Sequence, residues 1–382
     1  MTSCLEGNGG AVPPPHASIG IALDEVDTPA LVLDLDALGR NLLRMADAVK
    51  GSGVRLRPHA KSHKCAEIAR AQIAAGAVGV CCQKVSEAEA LVAGGVADVL
   101  VTNEIVGRRK TARLARLARE AKVAVLADDA GNVADLDAAA RAEGVRLEVL
   151  IEIDVGAHRC GIEPGEPALA LARRVASCRG LRFAGLHAYH GSAQHVRGPA
   201  DRRAAIAAAA EKARLTKTLI ENAGIACETV TGAGTGTFLL ESASRVFNEI
   251  QPGSYVFMDA DYNRNVWEEG WPRFEQSLFV LATVMSVPAP ERAVLDAGLK
   301  ASSVDSGLPQ VHQRPGVEYV RASDEHGVLK IAAGAGAPKL GEKLLLVPGH
   351  CDPTVNLYDQ FVCVRKGKVE ALWAVSARGA VW

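Results

Sequence analysis

The chain has 382 residues, too many for one ordinary compact domain, so two domains or a barrel with an addition are expected. Its composition is globular, 48% hydrophobic and 23% charged, and a formal net charge of −1 gives no electrostatic reason to expect nucleic acid or an anionic membrane as partner. No window approaches the roughly 18–20 uninterrupted apolar residues of a membrane helix.

The opening residues, MTSCLEGNGGAVPPPHAS, are rich in Gly and Pro and lack the basic and apolar regions of a secretory signal. Residues 1–24 are read as a flexible leader, with a degraded organelle-targeting segment as the other reading. Over residues 30–260 two textures alternate. Short β-rich runs are VRLRPHAK (54–61), AVGVCC (77–82), ADVLVTN (97–103), KVAVLAD (122–128), LEVLIEID (147–154), LRFAGLHAYH (181–190), CETVTGAG (227–234) and SYVFMD (254–259). Between most of them lie stretches with helical spacing, such as TARLARLAREA (111–121), and another, LDALGRNLLRMADAVK (35–50), precedes the first. Strands alternating with helices mean βαβ units and a parallel sheet, and eight units favour a TIM barrel. Over 266–382 the helical spacing disappears, and QSLFVLATVMSV (276–287), ERAVLDAG (291–298), GVEYVRAS (316–323), HGVLKIAAG (326–334), EKLLLVPGH (342–350) and DQFVCVRKGKVEALWAV (359–375) are β-like and split by Gly and Pro turns. The expected fold is α/β, an N-terminal (β/α)8 TIM barrel over 25–265 followed by a C-terminal all-β domain. The nine cysteines are odd in number and scattered, which reads as reduced thiols in a cytoplasmic compartment; with no CxxC pair, a structural zinc site is not expected.

Barrel chemistry sits at the C-terminal ends of strands. There the chain offers Lys61 beside His59 and His63, then Asp154, His158 and Arg159, then His187, Tyr189, His190 and His195, then the loop TGAGTGTF (231–238) and the turn QPGSY (251–255). Lys61 is either a Schiff-base nucleophile, its pKa lowered by partial burial, or a solvated rim lysine. TGAGTGTF is either a nest of backbone N–H groups for a phosphate or a plain Gly-rich turn. It matches neither the full dinucleotide fingerprint nor the P-loop. Lysine and cradle together suggest pyridoxal 5'-phosphate. Arg159 reads as a contact to cofactor or substrate oxygen, or as a salt-bridged rim residue. His190 and His195 read as acid/base or ring-stacking groups, or as polar loop packing.

DTPALVLDLDALGRN, RPHAKSHK, IEIDVGAHRCG, TGAGTGTF, QPGSYVFMD, SDEHG (323–327) and PGHCDPT taken together resemble the alanine-racemase-like, fold-type III pyridoxal-phosphate enzymes, in their D-threonine aldolase / D-serine dehydratase branch. The resemblance covers nearly the whole chain from about residue 25. It implies a homodimer and an N-terminal segment packed on the C-terminal domain. It also implies Lys61 as the Schiff-base lysine and Arg159 near the cofactor, with Tyr189 and His195 in the loop facing it. Gly232, Gly234 and Thr235 fall on the phosphate loop, and Gly253, Ser254 and Tyr255 on its second half.

The same resemblance gives VPGHCDPTVN (347–356) a metal role in place of a polar turn before Pro353. Dehydratase-like members carry His and, two residues on, Cys; aldolases carry Asp there, as this chain does with His350 and Asp352. In an extended segment i and i+2 share a face, so His350 and Asp352 are expected to converge on one ion while Cys351 faces elsewhere. Imidazole plus carboxylate suits Mn²⁺ or Mg²⁺. The activity implied is a metal-dependent retro-aldol cleavage of D-threonine and other β-hydroxy-D-amino acids to glycine and an aldehyde, with Lys61 carrying the cofactor and His195 or a metal-bound water as base. The alternatives are a D-serine or D-3-hydroxyaspartate dehydratase on the same fold, and a non-catalytic cofactor-binding protein.

Overall fold

The computed structural model describes residues 16–382. The part of the expected leader before residue 16 lies outside them. β1 (Ala30–Asp34) leads into α1 (Leu35–Val49), capped by Asp34, whose carboxylate accepts the N–H groups of Asp36 and Ala37 at 2.9 Å.

The barrel strands are β2 (Arg55–Leu56), β3 (Val80–Cys82), β4 (Asp98–Glu104), β5 (Lys122–Ala127), β6 (Leu147–Glu152), β7 (Leu181–His187), β8 (Thr229–Gly232) and β9 (Glu249–Ile250). Each pairs in parallel with the next from β3 onward, and β9 pairs with β2. Val78 N–H donates to Leu56 O at 2.9 Å and Cys81 N–H to Pro58 O at 2.8 Å, which joins β2 to β3 and closes the ring. The helices outside it are α2 (Ala66–Ala74), α3 (Val85–Ala93), α4 (Arg108–Leu117), α5 (Ala130–Glu143), α6 (Glu166–Ser177), α7 (Pro199–Asn222) and α8 (Phe238–Ala243).

The two-residue strand period divides the core. Cys81, Leu100, Ala124, Leu126, Leu150 and Ala184 fill the barrel interior. Their neighbours Val99, Val101, Val123, Val125 and Val149 face the helices. Burying such a Val or Leu side chain contributes about 1.5–3 kcal/mol. At the N-terminal end of the strands, Arg57 is buried between Asp98 (2.6 Å) and Glu249 (3.1 Å), and Arg182 meets Glu148 at 2.7 Å. That end is lined by matched charge around a cavity of its own, and the reactive residues gather at the other.

The expected strand over 254–259 is not one. The eighth barrel strand is β9, and Ser254–Val256 form a 3-10 turn. The apolar run misleads because Tyr255, Val256 and Phe257 pack into the core shared with the C-terminal domain.

After α9 (Ala260–Asn263) come β10 (Leu278–Ala289), β11 (Arg292–Leu295), β12 (Gln310–Val311), β13 (Val317–Ala322), β14 (Gly327–Ile331), β15 (Lys343–Val347), α10 (Cys351–Val355), β16 (Gln360–Arg365) and β17 (Lys368–Ala374). The strand order is β13-β14-β11-β10-β1-β16-β17, with β15 also on β10 and β12 on β15. β1 is thus an interior strand of the C-terminal sheet, antiparallel to β10 and parallel to β16. Residues 16–24 also leave the leader reading. Gly20 N–H donates to Val369 O at 2.8 Å and Leu23 N–H to Gly367 O at 2.9 Å, and Ala17 is buried. The eight described cysteines are all free. Among the described residues, no helix is long and apolar enough to cross a membrane.

Candidate active site

A cavity of about 250 Å³ opens at the C-terminal ends of the barrel strands. Of the expected residues, Lys61, Arg159, Tyr189, Gly234, Thr235, Gly253 and Ser254 line it. His59, Gln83, Thr102, His187, Gly191, Ala233, Gln251 and Tyr262 complete the wall. Gln83 and Thr102 belong to no sequence motif, although each stands at the end of a barrel strand.

Lys61 sits in the 3-10 turn Ala60–Ser62 that follows β2. His59 Nδ1 accepts the Lys61 N–H at 3.3 Å, so the ring hydrogen is on Nε2, which reaches Thr102 Oγ1 at 2.9 Å. Burial and the neighbouring Lys61 keep His59 well below the usual imidazole range, hence neutral. Lys61 Nζ forms a close ion pair with Asp352 Oδ2. Burial would push the Lys61 ammonium down, as expected from sequence, but the Asp352 carboxylate outweighs it and holds the lysine above its ordinary value. Burial would likewise raise Asp352, and Lys61 and His350 hold it well below the usual carboxylate range.

The HCD segment is not extended. His350 is the N-cap of α10, and Cys351 and Asp352 are its first two residues. Asp352 turns to Lys61 because of the helical turn, not a strand period. Cys351 is fully buried, and its N–H donates to Asp259 Oδ2 at 3.0 Å. Asp259 Oδ1 also accepts the Tyr262 N–H at 2.8 Å, so one buried carboxylate ties α9 to α10. His350 Nδ1 lies 2.8 Å from Asp305 Oδ2.

The Gly/Thr loop is shaped by Gln194, whose Oε1 accepts the Gly236 N–H at 3.0 Å and whose Nε2 donates to Thr237 Oγ1 at 2.8 Å. A Cβ on Gly234 would stand 2.5 Å from Gln194 Oε1. Thr235 Oγ1 accepts the Tyr255 N–H at 3.0 Å and so joins this loop to the second turn. Of the residues expected to hold the cofactor, Gly232 and Tyr255 are absent from the wall, as are His195, His350 and Asp352 among the expected catalytic and metal residues. Gly232 closes β8, where a Cβ would stand 2.6 Å from Ala188 O. Tyr255 is buried behind the loop, its hydroxyl accepting from Gln72 Nε2 at 3.2 Å.

Behind the loop, Thr237 Oγ1 donates to Glu241 Oε1 at 2.7 Å, and Glu241 Oε2 has no partner among the described residues. Burial pushes the Glu241 carboxyl from 4.5 up to about 7. The unfolded chain therefore loses this proton first, and the group costs stability increasingly as pH rises from about 4.5 to about 7. Glu241→Gln is expected to raise the thermal midpoint at pH 8 and to change it little at pH 4.5, where the folded form is protonated and the unfolded form only half ionised. Equal shifts at the two pH values would contradict this.

His195 ends the 3-10 turn Ser192–His195, outside the cavity wall. Its ring packs on Tyr262 with centroids 5.2 Å apart, and its Nδ1 lies 2.5 Å from Asp261 Oδ2. Buried Arg202 anchors this loop by donating to Val196 O at 2.8 Å and Val266 O at 2.7 Å. His190 Nδ1 meets Ser192 Oγ at 3.3 Å. The Arg159 guanidinium lies 5.7 Å from the Tyr189 ring centroid and 3.7 Å from Glu152 Oε1. Burial pushes Glu104 up to about 7, with the nearby Glu152 adding to the rise, and burial raises Glu152 as well.

These groups suit a phosphorylated aldehyde cofactor. Lys61 supplies the amine, and among the described residues the N–H groups of Gly234, Thr235 and Ser254 donate to no protein acceptor. For a divalent cation, the chain offers the imidazole of His350 and the carboxylate of Asp352. Among the described residues no group of three or more His, Cys, Asp or Glu side chains is arranged to hold a metal, so an ion at these two side chains would need its other positions filled by water or substrate.

The family of alanine racemase N-terminal domains matches residues 33–261, and a putative serine dehydratase domain matches residues 277–364. The chain is 50% identical to a D-threonine aldolase of Arthrobacter sp., over 97% of each chain. It is 49% identical to a 3-hydroxy-D-aspartate aldolase of Paracoccus denitrificans, over 94% of each chain. The crystal structure of a D-threonine aldolase from Filomicrobium marinum superposes with a TM-score of 0.95 at 53% identity, covering 96% of this chain and 100% of that one.

Proposed function

The chain belongs to the alanine racemase N-terminal-domain family, and on that footing we propose that it is a pyridoxal-phosphate- and divalent-metal-dependent D-threonine aldolase. It is a carbon–carbon lyase that cleaves β-hydroxy-D-amino acids to glycine and an aldehyde. The observation that carries the reading of the site is the contact between Lys61 and Asp352, which sets a cavity lysine against the H-x-D segment.

Lys61 anchors the cofactor, and the free N–H groups of Gly234, Thr235 and Ser254 hold its phosphate. When bound, pyridoxal phosphate supplies an electron sink for the electron pair left at Cα once the Cα–Cβ bond breaks. His350 and Asp352 would hold the cation, Mn²⁺ in preference to Mg²⁺, and its charge would make the substrate hydroxyl more acidic. His195 accepts the hydroxyl proton at its Nε2, since its Nδ1 faces Asp261. Arg159 and Tyr189 close one wall and orient the bound molecule. Neutral His59 beneath Lys61 adds no second positive charge to the floor. The same reading carries a homodimer in a cytoplasmic compartment; sedimentation equilibrium at twice the chain mass supports the dimer, and a monomer mass refutes it.

Incubation with D-threonine tests the reaction. Glycine plus acetaldehyde is the expected product pair. Formation of 2-oxobutanoate and ammonia overturns the aldolase in favour of the dehydratase, and cofactor-loaded protein that stays inert with added Mn²⁺ returns the non-catalytic reading.

A further inference from the structure

His350 has two ring nitrogens, and only one is free to bind a cation. Its Nδ1 is 2.8 Å from Asp305 Oδ2, with Ser306 Oγ at 3.4 Å. The Asp305 carboxylate is itself held, because Ser303 Oγ donates to Oδ1 at 2.7 Å and Ser306 Oγ to Oδ2 at 3.1 Å. A carboxylate only accepts, so the ring hydrogen sits on Nδ1 and the lone pair is left on Nε2. That is the tautomer a metal-ligating imidazole needs, and a carboxylate partner also raises its basicity.

The loop carrying Asp305 is fixed from three sides. Gly349 passes so close that a Cβ on it would stand 1.9 Å from Gly307 O. Thr354 Oγ1 accepts the Ser303 N–H at 3.2 Å and donates to His350 O at 2.8 Å. Arg264 donates to Ser306 O at 2.8 Å and also pairs with Asp261, the carboxylate beside His195.

Resting on the reading of His350 and Asp352 as the cation's ligands, we infer that Asp305 is the positioning residue of that centre. It fixes His350 with Nε2 toward a divalent cation of the Mn²⁺ type, and the loop 303–307 belongs to the metal centre although it supplies no ligand.

The test is Mn²⁺ binding to the cofactor-loaded enzyme, followed by the paramagnetic resonance signal of the free ion. Asp305→Ala is expected to weaken binding about 10–100-fold. Asp305→Asn keeps the shape, loses the charge and can turn an N–H toward the ring, so it is expected to weaken binding as well; Ser303→Ala, which only loosens the carboxylate, should do so by a smaller factor. Cofactor absorbance and thermal midpoint should stay at parental values in Asp305→Ala, because that side chain is half exposed. Unchanged Mn²⁺ affinity in Asp305→Ala overturns the inference, as does weakened binding that comes only with lost cofactor. Asp352→Ala run alongside separates the two assignments. If it also leaves the affinity unchanged, the ligand assignment fails. If it abolishes binding while Asp305→Ala does not, only the role of Asp305 fails.

Discussion

Replacing Lys61 with alanine is expected to reduce D-threonine cleavage by about 10²–10⁴-fold or more and to remove the visible absorbance of covalently held cofactor. The alanine variant alone is ambiguous, because it also strips the buried Asp352 of its cation. Lys61→Arg resolves this. An arginine keeps a positive charge beside Asp352 but does not form a Schiff base with an aldehyde at neutral pH. It is expected to retain the parental thermal midpoint while losing activity and absorbance as fully as the alanine variant. Activity surviving in Lys61→Arg would show that the lysine acts only as a counter-ion.

The second large effect is expected from Asp352→Ala. Loss of one of two protein ligands should abolish Mn²⁺ binding and lower kcat by several orders of magnitude, since an ion at a reacting oxygen contributes several kcal/mol and each 1.4 kcal/mol is about tenfold. Cofactor absorbance should persist, because Lys61 is untouched. The lysine should also respond. Without Asp352, the main charge that opposes burial is gone and the lysine pKa falls from the raised position it holds in the parent. A chemical modification rate of the cofactor-free protein reads this directly: faster acylation of Lys61 at pH 8 in the variant is the expected outcome. An Asp352→Ala enzyme that loses the cofactor along with the metal would make Asp352 a support of cofactor binding.

Much of the architecture is legible in the residues because two periods, 3.6 and 2, alternate along the barrel and only the shorter survives after it. The strand and helix textures place seven of the eight barrel strands, from the run at 54–61 to that at 227–234. The eighth was misplaced because Tyr255, Val256 and Phe257 are apolar for the sake of the neighbouring domain, while the real strand, Glu249–Ile250, is two residues long. The position of β1 rests on pairings with residues distant in sequence, which no local pattern encodes. At the site, Lys61 and the Gly/Thr loop stood out because barrel chemistry gathers at strand ends. Gln83 and Thr102 obey the same rule but are ordinary polar residues without a motif. The conformation of His350–Asp352 was misread because a Pro two residues after Cys351 is compatible both with a turn and with the first turn of a helix. Asp305 carries no signal of its own; its role depends on the close approach of Gly349 to Gly307.

The placement of β1 sets an order of events during synthesis. Val32 pairs with Val362 on one side and with Phe279 on the other, so both neighbours of this strand emerge from the ribosome after the entire barrel. Until then the segment Ala30–Leu33 is an apolar ribbon with two open edges, held beside a barrel that has every strand it needs. The sheet must be sewn shut by its most distant pieces, a high-contact-order closure that is slow compared with barrel growth. The nascent enzyme is therefore most exposed to strand-to-strand association in the interval between barrel completion and the arrival of β16, and conditions that slow late elongation should enlarge the insoluble fraction more than those that slow early elongation.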